Sequence, residues 1–295
     1  MAFKDYLANR ESSFAKLNES LEKLKKPSYA DDDRYWQPTV DKANNGYALI
    51  RFLPPVEAEN VPYVQLWSHS FQSKTTGLYY IENCLTTLGE DDPVSEHNNM
   101  LWNSTTDDNS PARKQARDQK RKLTYISNIL VIKDPGNPAN EGKVFLYKFG
   151  AKVFSKINDM MFPTIPTKKK INPFDLLEGA NFNLVIVEKD KYRNYDKSEF
   201  ELPTPITKDM KVLESIYDSI YPLQPLVARD QFKSYDQLKN RFEKVIGNKK
   251  GVPSKAEVKE SSPSIDDMIP HMMIGAGTSD LDDADMKLFA SLSDN

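Results

Sequence analysis

The sequence predicts an α+β protein: a β-barrel core that is small and partly open, interrupted by helices, with polar segments at both ends. Short runs rich in β-branched and aromatic residues recur between residues 47 and 189. Helical periodicity appears between and after those runs. Near Asn248 the composition turns abruptly to Lys, Ser, Pro and Glu. The chain has 295 residues, 39% hydrophobic and 28% charged, enough to bury a substantial core.

Residues 2–26 read as a helix, because Phe14, Leu17, Leu21 and Leu24 recur at helical spacing and Pro27 stops it. Its apolar stripe is narrow, so it leans either on its own domain or on a neighbouring protomer. Residues 27–44 are loop-like. YALIRFLP, starting at Tyr47, is a strand with one cation, Arg51, and ends at Pro54-Pro55. VPYVQLWSHSF and LYYIENC are strands joined by a hairpin at SKTTG. Two more strands within residues 113–150, and NFNLVIVEK at 181–189, bring the count to about five. Residues 151–161 form a helix with Val153, Ile157 and Met160/Met161 on one side. SYDQLKNRFEKVIG, at 234–247, is a helix with Ser234 and Gln237 at capping-box positions and Gly247 as its stop. Such a pattern fits an oligonucleotide-binding (OB) fold with helical insertions, and other α+β layouts as well. The expected divisions are an N-terminal segment (1–26), a core (27–250), and a linker with an acidic C-terminal tail (251–295). In that tail Asp280, Asp282, Asp283, Asp285 and Asp294 face Lys287, while Leu288, Phe289 and Leu292 form either a docking element or part of a solubilising end.

Residues 113–150 carry the chemistry. Arg113, Lys114, Arg117, Lys120, Arg121 and Lys122 are opposed by Asp118 alone, and Tyr125 follows. Phe145, Tyr147 and Phe149 share one face of a strand, with Lys148 between them. Cations beside aromatic rings suit a single-stranded nucleic acid, the cations following phosphates and the rings stacking on bases. Taken alone, the aromatic stripe reads as core packing. The net charge of −3 is no objection, since acids gather near the C-terminus and bases near 113–122.

Other function classes find little support. No apolar run approaches the roughly 20 residues of a membrane span, and the charged N-terminus argues against export. One cysteine, Cys84, rules out an internal disulfide and suits a reducing cytoplasm. GNKKG at 247–251 lacks the spacing and hydroxyl of a phosphate loop, and there is no G-x-S-x-G elbow. Asp91-Asp92 could hold a divalent ion but reads more simply as a solvated acidic loop. A binder is therefore expected rather than an enzyme. The competing readings are a scaffold whose basic surface meets acidic protein partners and, weaker, a metal-dependent nuclease.

KRKLTYISNILVIKDPGNPANEGKVFLYKFG closely resembles the core of the single-stranded DNA-binding, helix-destabilising proteins of T-even-type bacteriophages. NGYALIRFLP, SHSF…YYIENC, GANF, NYDKSEF and FKSYDQL extend the resemblance, in order, over roughly residues 15–247. It implies an OB fold that coats single-stranded DNA cooperatively in replication, recombination and repair, in the cytoplasm of an infected bacterial host. It further implies self-association through the N-terminal segment. The acidic tail would contact the phage DNA polymerase, helicase/primase, helicase loader and recombination proteins. The residues that carry over are Arg51, Lys120, Arg121 and Lys122 as phosphate contacts, the triplet being also a candidate for docking a neighbour's N-terminal segment. Arg113, Lys114 and Lys148 are further DNA-binding candidates from the basic stretch itself. Trp102, Tyr125, Tyr147, Tyr192 and Tyr195 carry over as cleft aromatics, with Phe145 and Phe149 turned towards the core.

Two departures from the family stand out. The family binds zinc through one His and three Cys, the last two as C-P-V-C. Here His69 and Cys84 hold the first two places, but D-P-V-S puts Asp92 and Ser95 at the others, with His97 as a possible substitute. Serine is a poor zinc ligand, so no cofactor is expected and local packing is expected to hold the hairpin, the alternative being zinc held by His69, Cys84, Asp92 and His97. The family's N-terminal basic triplet with two hydroxyl residues reads FKDYL here, with Arg10 and Ser12-Ser13 as a partial replacement.

Overall fold

The computed structural model describes residues 32–247, apart from 165, 166, 168 and 191. The expected N-terminal helix, the linker and the acidic tail lie outside the described residues. The chain divides into two compact units, residues 1–36 and 37–295. In the first, the Arg34 guanidinium grips the Asp32 carboxylate (Nε–Oδ1 2.9 Å), ahead of the short strand β1 (Tyr35–Trp36).

The second unit is mixed α+β. Its strands are β2 (Gly46–Phe52), β3 (Tyr63–Gln72), β4 (Tyr79–Asn83), β5 (Lys122–Lys133), β6 (Val144–Phe149), β7 (Phe182–Lys189), β8 (Tyr192–Asn194) and β9 (Glu199–Phe200). Its helices are α1 (Pro93–Asn103), α2 (Pro111–Asp118), α3 (Ala151–Met161), α4 (Met210–Asp218) and α5 (Tyr235–Ile246). Five of the strands run in the order β6-β5-β2-β7-β8; β3 pairs with β5 and β4, and β9 with β7. All pairings within this unit are antiparallel, and the sheet does not close into a barrel.

Strand β5 organises the rest. Its first half pairs with β3 and β6, and its second half passes to β2. Residues 125–131 are buried on both faces, which explains the near-continuous run of branched apolar side chains. The one amide in that run, Asn128, is fully matched. Its Nδ2 donates to Tyr221 O (2.8 Å), and its Oδ1 accepts from Tyr221 N (3.0 Å), pinning the segment after α4 to the sheet. Under β2, Phe52 packs on Phe149, Phe174 and Phe182, with ring centroids 5.5, 5.7 and 5.8 Å away.

The β3–β4 hairpin has its own cover. Phe71 and Tyr80 pack with Val94 of α1 and with Phe242 and Val245 of α5. Helix α5 begins with the reciprocal Ser234/Gln237 cap and ends at Gly247, where φ of 82° suits a residue without a side chain. Helix α3 occupies the range its periodicity predicts. Helices α1, α2 and α4 were not foreseen, since charged and polar residues dilute their periodicity.

Candidate nucleic-acid interface

Strand register brings the basic stretch to one end of the sheet. Ser68 of β3 sits opposite Lys122, Trp67 opposite Leu123, and Phe149 opposite Tyr125. Lys120, Arg121 and Lys122 therefore enter β5 between Trp67 on one side and the β6–α3 junction on the other. Lys122 is half-buried, and burial, together with its neighbour Lys120, lowers its pKa. Lys114 and Lys148 are exposed.

The earlier cations belong to α2, which starts at Ser110, whose side chain accepts from Arg113 N, with Pro111 in the first turn. Arg113 lies over the Trp102 ring at 4.4 Å. Its Nε donates to Trp102 O (3.2 Å) and Thr105 O (2.9 Å), and its Nη1 pairs with Asp108. Only 16% of its side chain is exposed. Arg117 stands 5.9 Å from the same ring and donates to Asp108 O. The expected phosphate contact of Arg113 is thus corrected: its donors staple the loop between α1 and α2. Arg121 lies 4.4 Å over the Trp67 ring.

The strand aromatics also depart from expectation. Tyr125 is 7% exposed and Tyr147 3%. Helix α3 follows β6 directly and lays Phe154 on Tyr125, with centroids 4.0 Å apart and planes 5° apart. Phe149 stacks on both Tyr125 and Tyr147. Burial pushes the Tyr147 phenol well above its ordinary pKa. The Tyr125 and Phe154 rings meet between sheet and helix, and Tyr125 and Tyr147 are both buried rather than presented as open platforms. A strand stripe cannot reveal which helix will cover it.

Arg51 is likewise corrected. It is fully buried, donating from Nη2 to Asp175 O (2.7 Å) and from Nη1 to Asn181 Oδ1 (3.4 Å). Burial lowers its pKa to about 10. The loop folds so tightly over the guanidinium that a Cβ at Gly179 would meet Asp175 O at 2.4 Å and Arg51 Nη2 at 2.8 Å. Arg51 therefore fastens the loop to β2.

A second basic and aromatic patch lies on the β7–β8 hairpin. Tyr192 is 57% exposed, and Tyr195 is half-buried beside Arg193. Lys156 donates to Asp196 O (3.0 Å), and Lys152 approaches the Asp196 carboxylate at 3.7 Å. Sequence reading passed over Trp67, Lys152, Lys156 and Arg193. The four-residue spacing of Lys152 and Lys156, opposite Val153 and Ile157, was the available signal for two of them.

Residues 44–246 match a family model described as "gp32 DNA binding protein like". The single-stranded DNA-binding protein of Enterobacteria phage T2 is 36% identical over 250 residues, covering 81% of this chain and 79% of the relative. That of Enterobacteria phage T4 is 35% identical over 249 residues, with the same shares. The chain belongs to the gp32-like family. A shorter relative of the same description, from Escherichia phage SV14, is 37% identical over 102 residues, 32% of this chain and 88% of its own length.

Within this gp32-like domain the hairpin holds a buried polar cluster. His69 Nδ1 lies 2.9 Å from Gln119 O, which leaves Nε2 facing Asp92 Oδ1 at 3.2 Å and Ser95 Oγ at 3.3 Å. Cys84 Sγ lies 3.6 Å from the same hydroxyl and 3.1 Å from Thr86 Oγ1. Donor atoms of His69, Cys84 and Asp92 all fall within 4.8 Å of one another. These are donor types that zinc accepts, and a carbonyl holding the outer imidazole nitrogen is how a ligand histidine is oriented. The set could therefore hold a divalent ion through three residues, tying β3, the end of β4 and the start of α1 together. It falls short of the closed four-ligand site of structural zinc. His97 is no substitute, because it packs edge-on against Phe242 with centroids 5.1 Å apart.

The same atoms already satisfy one another. Asp92 caps α1, accepting from Val94 N (3.1 Å) and Ser95 N (3.0 Å), and also takes Leu85 N (3.2 Å). Burial disfavours charge on both His69 and Asp92, but their mutual hydrogen bond outweighs it. With help from Cys84, His69 is pushed up to about 9. With help from the backbone donors, Asp92 is pushed down to about 2. Among the described residues no helix is long and apolar enough to cross a membrane.

Proposed function

We propose that this chain binds single-stranded DNA with little regard to base sequence, in phage DNA replication, recombination and repair within the infected host. The observation that carries this reading is the convergence of Lys120, Arg121 and Lys122 beside Trp67 at one end of the sheet, in a domain whose relatives are named single-stranded DNA-binding proteins. Cations neutralise phosphates and release counterions, while rings and guanidinium planes stack on bases of any identity. The long β5, paired with β2, β3 and β6, supports an OB-like core. Melting of a duplex needs no nucleotide hydrolysis, because binding only the unpaired form shifts the equilibrium by mass action. Titration with oligo(dT), oligo(dC) and oligo(dA) tests the reading. Intrinsic fluorescence should be quenched by all of them, whereas a scaffold for acidic proteins predicts no quenching.

The reading extends to residues outside those described. The N-terminal segment would join neighbouring protomers along the strand, and the acidic tail would recruit replication proteins. Removing residues 1–25 should leave affinity for a short oligonucleotide unchanged and lower it for long strands. Removing residues 255–295 should abolish capture of those proteins without weakening oligonucleotide binding. Equal loss of affinity on short and long strands would refute this division of labour.

The hairpin is held, in the same reading, by the His69–Asp92 pair and its backbone donors without a metal. Metal analysis of protein prepared without chelator should then find no stoichiometric zinc, and EDTA should leave the melting temperature unchanged. One equivalent of zinc per chain would overturn the point.

A further inference from the structure

Two tryptophans in the described domain carry an arginine over the ring, and the two pairs differ in what the arginine is free to do. At Trp102 both nearby guanidiniums are committed. Arg113 is tied to Trp102 O, Thr105 O and Asp108, and Arg117 to Asp108 O. At Trp67 the Arg121 guanidinium sits 4.4 Å over the indole, with no hydrogen bond or ion pair to any described residue. Its in-plane N–H donors remain available while its plane rests on the ring.

The backbone that carries the indole is held in place. Trp67 N donates to Thr87 Oγ1 (2.9 Å), and Trp67 O accepts from Cys84 N (2.8 Å), so the turn after β4 fixes β3 at this residue. Trp67 and Arg121 are both partly exposed, and Lys122 lies opposite the adjacent Ser68. With Phe154 of α3 stacked on Tyr125, and Tyr147 buried, this pair is an aromatic surface beside the basic triplet among the described residues.

We infer that Trp67 and Arg121 together form a one-nucleotide subsite, in which a base stacks on the guanidinium–indole pair and the adjoining phosphate takes the Arg121 N–H donors. The subsite rests on the single-stranded DNA reading above and adds to it the residues that hold a base. A planar cation on an aromatic ring accepts any base, which suits sequence-tolerant binding.

The test uses the full chain and a labelled oligo(dT), with affinities read by anisotropy. W67L keeps an apolar side chain in β3, and R121K keeps the charge but loses the plane. Each should weaken binding on the order of ten-fold, and the double variant should be little worse than either, because the two residues act as one unit. Thermal melting followed by circular dichroism checks that W67L is folded; R121K, at a partly exposed position, carries the test if it is not. If the wild type binds and R121K stays within about two-fold of it, or the two losses multiply to about a hundred-fold, the subsite is refuted and the broader reading stands. No binding by the wild type would refute both.

Discussion

Raising the salt from about 50 to about 200 mM should lower affinity for single-stranded DNA on the order of a hundred-fold if about five phosphates are held. The figure follows from counterion release, where each phosphate neutralised on a single strand adds about 0.7 to the slope of log affinity against log salt. The cations placed to contribute are Lys120, Arg121 and Lys122 beside Trp67, exposed Lys114 and Lys148, and the Lys152, Lys156 and Arg193 group around Asp196. Arg113 should contribute little, since its donors are taken up by the α1–α2 loop. Oligonucleotide titrations across several salt concentrations read the slope directly. A slope near zero would mean that stacking alone drives binding, and that the basic end of the sheet faces something else.

Replacing Arg51 with alanine should destabilise the domain by about 4 kcal/mol and lower its melting temperature by roughly 10 °C. The variant loses the packing of a wholly buried side chain and leaves Asp175 O without the donor 2.7 Å away. It also releases the loop that Gly179 lets fold closely over the guanidinium. Below its melting point the folded variant should bind DNA as the wild type does. Denaturation and titration separate the outcomes: an undisturbed melting curve with a large loss of affinity would restore Arg51 as a phosphate contact.

The Arg51 correction and the two tyrosine corrections share a physical cause. A lone cation in an apolar strand is a surface contact or a buried clamp depending on which loop crosses it. For Arg51 that loop arrives from Asp175 and Asn181, more than a hundred positions away. Tyr125 and Tyr147 alternate along their strands as expected, but Phe154 of the following helix stacks on Tyr125 and Phe149 stacks on both, and periodicity carries no information about such packing. Local chemistry was legible where the signal was local. The Ser234/Gln237 cap, the Gly247 stop and the span of α3 all follow from neighbouring residues.

The hairpin cluster lies between those cases. Its members were identifiable by position in the family pattern, and His69, Cys84, Asp92 and Ser95 do converge. The role of Asp92 as cap of α1 was not legible, because the polar composition of α1 hides the helix whose first amides it receives. The pairing at Trp67 was hidden for a similar reason, since its partner Arg121 stands just before β5, more than fifty positions along the chain.

A competition experiment tests the central claim most directly. Protein is bound to a labelled single-stranded oligonucleotide and challenged with the same unlabelled strand or with its duplex. The account predicts displacement by the single strand, at concentrations where the duplex leaves the complex intact. Equal displacement by both would contradict it, because a basic surface that does not require unpaired bases attracts either form alike.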